Sequence, residues 1–135
     1  MRSGGIHWLA VLAAAIAFYL IGFVIYGMLI PEETWMALSG ESPEELAAVA
    51  ESRMPFGPLM PIMTSVFMAL IFKWGGVNGA VPGIRWGLVI ALASAVPTLM
   101  YGWVYGVGPI EMTLIDCAHL VLGHGVVGAI LGGWR

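Results

Sequence analysis

The chain has 135 residues, 60% hydrophobic and only 10% charged, where soluble domains carry roughly 25% charged residues, so a fully water-solvated surface is excluded and lipid is the expected solvent. A formal net charge of −3, with five Lys and Arg, excludes a basic surface for nucleic acid. The single Cys117 excludes an internal disulfide and any zinc or iron–sulfur site built from several cysteines of this chain.

A bilayer core about 30 Å thick takes about 20 apolar residues of helix to cross. Four runs meet that requirement. The first covers residues 6–30, with no Asp, Glu, Lys or Arg between Arg2 and Glu32. It is long enough to span with some tilt and too long for the apolar core of a signal peptide, so it is expected to be retained. The loop after it carries a short helix of its own over residues 43–53. Ser42 caps it, Pro43 suits its first position, and Glu45 completes a capping box. Leu46, Val49 and Ala50 share one face, which is expected on the membrane surface or on the bundle, and the segment reads as a spacer or lid, with recognition of an extracytoplasmic partner as the alternative.

The second span covers residues 56–72 and stops at Lys73, with Pro55, Pro58 and Pro61 crowded at its start, where helix N–H groups lack partners anyway. The third covers residues 86–107, between Arg85 and Gly108-Pro109, and Pro97 in its middle predicts a kink. The fourth covers residues 112–134 and differs from the others in carrying Asp116, His119 and His124. Continuous apolar runs rich in Ala, Leu and Gly exclude an outer-membrane barrel, whose strands would alternate apolar with polar residues. The fold class is therefore an all-α integral membrane protein, a four-helix transmembrane bundle with a short extracytoplasmic helix in the first loop.

Four spans put both termini and the loop between spans two and three on one side. That side holds Arg2, Lys73, Arg85 and Arg135, and the other holds only Arg53. Counting Lys and Arg in short loops makes the first side cytoplasmic. Trp8, Trp74, Trp86 and Trp134 then fall at the inner boundary, with Tyr26, Trp35, Trp103 and Tyr105 near the outer one, as aromatic belts would.

The opening Ile6-His7-Trp8-Leu9-Ala10-Val11-Leu12, the Gly22-Phe23-Val24-Ile25-Tyr26-Gly27 stretch, Thr34-Trp35-Met36-Ala37-Leu38 and the ending Gly128-Ala129-Ile130-Leu131-Gly132-Gly133-Trp134-Arg135 resemble one bacterial family. It is the small four-span membrane family known as domain of unknown function seventeen-sixty-one. The likeness covers nearly the whole chain. It departs at Ile25-Tyr26, where the family pattern has a Trp-Tyr pair. The resemblance implies the four-span architecture and a bacterial inner membrane. It implies no activity and carries over no catalytic or binding residue.

Asp116 and His119, three residues apart, are neighbours on one helix face and form a polar intramembrane site with His124. An ionisable group inside a span is expensive and is expected to face protein or a wet cavity. Asp116, about one turn from the outer end, also reads as a helix-start carboxylate favoured by the dipole. His119, one turn deeper, is the better candidate for a proton or metal role, against the plainer role of a neutral histidine bonded to another helix, and its contact with another span is expected near Tyr101 or Tyr105. His124 and Cys117 lie two turns apart, too far to share a metal, and no ligand spacing accompanies them, so no cofactor, metal or nucleophilic chemistry is expected.

Glycines carry a packing message. Gly128 and Gly132 form a GxxxG, Gly125 and Gly133 extend it, and Gly102 and Gly106 make a second pair on the third span. Both sets serve close helix approach, either inside the bundle or between copies. The leading expectation is a non-enzymatic membrane protein acting by association, as a homo-oligomer or as an accessory subunit of a membrane complex. Its rival is a small permease or proton-coupled carrier using Asp116, His119 and His124, with help from Thr64, Ser65, Asn78, Ser94 and Thr98. A carrier needs those side chains to converge on a cavity, and an accessory subunit does not.

Overall fold

The computed structural model describes residues 2, 3 and 5–134, with side chains described from Gly5 to Trp134. Arg135 and the side chain of Arg2, both counted in the charge asymmetry, lie outside the described residues. A two-residue hairpin, β1 (Arg2–Ser3) with β2 (Ile6–His7), leads into α1 (Trp8–Val24), which continues as a π turn over Ile25–Leu29. Two short helices follow, α2 (Glu32–Ser39) and α3 (Pro43–Ser52). A 3-10 turn at Met54–Phe56 precedes α4 (Leu59–Trp74). The next unit is α5 (Ala80–Ile90), a π turn at Ala91–Ala95 and α6 (Val96–Tyr105), and α7 (Ile110–Gly133) ends the chain.

Four of these units are long and apolar enough to cross a membrane: Trp8–Leu29, Met54–Trp74, Ala80–Tyr105 and Ile110–Gly133. The chain is a multi-pass membrane protein built as an all-α bundle. Because the spans are even in number, the two described ends meet, with the His7 and Trp134 rings 6.0 Å apart.

Lipid tails are as apolar as leucine, so burying oily surface gives helices little reason to associate in a bilayer, and close packing must do that work. On α1 the buried residues Ala10, Ala14 and Phe18 recur every fourth position, with Val11 and Ala15 beside them. Ala10, Val11, Ala14 and Phe18 form one core with Met68, Ala69 and Phe72 of α4 and Val127 and Leu131 of α7. The opposite face of α1, including Leu9, Leu12, Ile16 and Leu20, is exposed to the surroundings, which for this protein means lipid.

Tighter contact joins α5 to α7. Gly83 and Gly87 face Gly128 and His124 so closely that a Cβ on either glycine would overlap the opposing carbonyl. One turn earlier, the Gly79 amide donates to the Gly132 carbonyl at 2.8 Å. Gly128 and Gly132 thus pack inside the bundle, while Gly125 meets Leu88. Gly102 has nothing near its open side, and the space beside Gly106 is filled only by its own helix's Gly102 carbonyl. That second glycine pair joins no spans within the molecule.

The third span starts at Ala80, earlier than the position after Arg85 that a charge-free run marks. The helix carries Arg85 on an exposed face, and the buried glycines lie on the opposite side. At Pro97 the irregularity takes the form of the π turn just upstream. A proline offers no N–H to the carbonyl four residues back and its ring crowds that carbonyl, so the backbone shifts to later donors. The first span repeats the arrangement: its π turn at Ile25–Leu29 ends two residues before Pro31, as the one at Ala91–Ala95 does before Pro97.

In α3 the capping box is fully formed. The Ser42 amide and hydroxyl each donate to the Glu45 carboxylate at 2.8 Å, and the Glu45 amide donates back to the Ser42 hydroxyl at 3.3 Å. Leu46, Val49 and Ala50 are half-buried on the inner face of this helix.

Candidate functional site

Phe18, Gly22 and Tyr26 fall at four-residue steps along the first span, and Asp116, His119 and Gly123 occupy the facing side of α7. The two spans run antiparallel, so the side chains mesh in reverse order. Phe18 lies over Gly123, where any side chain would collide with its ring. Gly22 forms the notch for His119, whose Nε2 comes within 3.0 Å of where a Cβ would sit. Tyr26, carried by the π turn, donates its hydroxyl to Asp116 Oδ1.

His119 is therefore enclosed by the first span. Its ring stands edge-on to Tyr26 at 5.2 Å and 89°, tilts against Phe18 at 5.2 Å, and interacts with the Phe18 backbone. The expected neighbours on the third span are corrected: Tyr101 and Tyr105 stack on each other at 5.8 Å, and both are exposed. His124 lies one turn deeper and is buried, its Nδ1–H donating to the Leu120 carbonyl at 2.7 Å and its ring edge meeting Phe18 at 5.5 Å. Cys117 is half-buried with a free thiol.

Tyr26 was missed as a site residue because its aromatic ring fits an interfacial belt equally well. Its partner lies 90 positions away, a separation that local pattern cannot bridge. Trp35 of α2 completes the cluster, edge-on to Tyr26 at 5.7 Å and 83°. The result is a carboxylate and an imidazole walled by three aromatic rings at the loop end of the α1–α7 seam.

The hydroxyls assigned to a carrier pathway point elsewhere. Ser94 donates to Ile90 and Thr98 to Ser94, each at 2.7 Å along its own helix, and both residues are exposed. Ser65 is fully buried with an unpartnered hydroxyl, Thr64 is half-buried on the same helix, and Asn78 lies exposed in the loop before α5. Among the described residues no three His, Cys, Asp or Glu side chains gather to hold a metal ion.

On the loops, the Ser42 hydrogen bonds, backbone before side chain, hold the Glu45 carboxyl below its ordinary value.

The chain belongs to the family described as Protein of unknown function (DUF1761), whose model matches residues 9–132. None of the curated proteins and none of the solved structures compared matches it.

Proposed function

We propose that the chain is a non-enzymatic protein of the bacterial inner membrane that acts by association, as a homo-oligomer or as an accessory subunit of a membrane complex. The observation that carries this reading is the outer half of the third span, which rests on α7 by one side and is otherwise uncovered. Only 11% of that span's most apolar stretch is buried inside the molecule, against 28% for each of the other three. Whereas α5 packs backbone to backbone on α7, no residue of α6 is buried. Ser94 and Thr98 satisfy their hydroxyls on their own helix, and Gly102 leaves open space beside the backbone. Small residues on an uncovered helix let another helix approach as closely as α7 approaches α5.

In this reading the end bearing the termini is cytoplasmic. Lys73, alongside Gly5, and Arg85 belong to that end, while Arg53 and the acidic α2 and α3 belong to the other. The test is cross-linking of Gly102→Cys in a Cys117→Ser background in native membranes, with mass measurement of the gently extracted protein. Self-linked dimers support the homo-oligomer, and a stoichiometric second subunit of defined mass supports the accessory role. A monomer in both measurements overturns the proposal.

A further inference from the structure

The loop end of the α1–α7 seam has the parts of a movable cover. Asp116 is half-buried, held by Tyr26, and Trp35 of α2 rests edge-on against the same tyrosine. Apart from its contact with α7, α2 has little to hold it: none of its residues is buried. Each of its ends breaks the helical path. On one side Ile30 and Pro31 are extended after the π turn that carries Tyr26. On the other Gly40 adopts φ +70°, a left-handed conformation glycine takes without strain, with nothing within 4 Å of its open side. Short helices with few buried contacts sit at the low-stability end of a fold and open most readily.

We propose that α2 is a hinged lid, latched by Trp35 on Tyr26, that sets water access to the Asp116 carboxylate. The proposal does not depend on the association reading. The latch is aromatic and therefore weak enough to release, since an edge-to-face pair adds only a modest increment beyond its buried area. Opening α2 uncovers Tyr26 and leaves the Tyr26–Asp116 hydrogen bond to be competed for by water. The acidic first turn of the lid, Glu32 and Glu33, keeps its outer surface hydrated when closed.

Carboxylate labelling of the full-length chain in liposomes tests this, using a water-soluble carbodiimide with an amine nucleophile and residue-level mass spectrometry. Glu111, exposed on the same helix as Asp116, is the internal reference. In the wild type Asp116 should label more slowly than Glu111. Trp35→Ala should raise Asp116 labelling by about threefold to tenfold, the population shift that loss of an aromatic pair produces, while Trp35→Phe stays within about twofold of wild type. Gly40→Ala touches no side chain of the cluster, strains only the left-handed turn at the far end of α2, and should act in the same direction as Trp35→Ala. The lid is overturned if Asp116 labels as fast as Glu111 in the wild type, or if neither variant changes it. It is also overturned if only Tyr26→Phe raises the rate, because protection would then come from the hydrogen bond alone.

Discussion

The carbonyl of Gly128 occupies the place where a side chain on Gly83 would begin, and the carbonyl of Gly83 does the same for Gly128. This reciprocal fit lets two backbones touch, and it makes the α5–α7 contact intolerant of even one methyl group. Gly83→Ala or Gly128→Ala must separate the helices, and overpacking of this kind costs about 1–3 kcal/mol. Both variants should melt earlier than wild type in mild detergent. Gly108→Ala, which meets nothing and lies in the loop before α7, should melt with the wild type, and an unchanged Gly83→Ala would remove the contact from the account of stability.

A second prediction concerns Ser65, fully buried in the α4 face that packs on the core, with no partner for its hydroxyl. An unpaired buried hydroxyl costs roughly 1–3 kcal/mol, so deleting it should not harm the fold. Ser65→Ala is expected to match or exceed wild-type stability by up to about 1 kcal/mol, because the alanine loses little contact volume. Unfolding in mixed micelles measures it. A clear loss of stability would show that the hydroxyl is engaged.

Much of this was legible because lipid imposes a blunt rule: a backbone crossing it must be helical and clothed in apolar residues. The spans follow from that rule alone. The Gly128-Gly132 pair was visible for the same reason, but its mates Gly79 and Gly83 were not, because Arg85 cuts them off from the apolar run that follows it. A charge on one exposed face says nothing about the opposite face. The helix at Glu32–Ser39 was missed: at two turns, with two acidic residues at its start, it shows no apolar periodicity strong enough to read. Its existence matters through a single contact, Trp35 on Tyr26. The seam that gathers Asp116 and His119 depends on Gly22 and Gly123, each of which looks ordinary in a chain with 19 glycines.

The capping box of α3 yields a pH prediction. Its hydrogen bonds favour the ionised Glu45, so the folded pKa lies below the unfolded one. The contribution is therefore fully present above the unfolded value and is lost as pH falls through the lowered folded value. In acid, α3 should fray from its first turn while the spans persist. Carboxyl chemical shifts followed through a titration should place the Glu45 midpoint lower in wild type than in Ser42→Ala. Coincident midpoints would mean the box is open in solution.

The last prediction separates association from transport at His119. In the seam this ring meets Phe18, Tyr26 and the notch at Gly22, and it neighbours Asp116 on the same helix face. His119→Gln keeps groups able to donate and accept hydrogen bonds, so the contact with the Phe18 backbone can persist. It loses two aromatic contacts, each worth about 0.5–1.5 kcal/mol, so a modestly lowered but cooperative unfolding transition is expected. Glutamine does not titrate near neutral pH, so any proton handling at this position is abolished. A chain acting by association should move neither protons nor solutes in sealed vesicles, and His119→Gln should assemble as the wild type does. A carrier should instead show wild-type flux that the folded variant lacks. Proton flux measured with a pH-sensitive dye in vesicles of both proteins, with assembly followed by cross-linking at position 102, decides between them. Wild-type flux lost in a well-folded His119→Gln chain would replace the association reading with transport through the Tyr26–Asp116–His119 cluster, because proton handling at that histidine would then be the property the chain cannot do without.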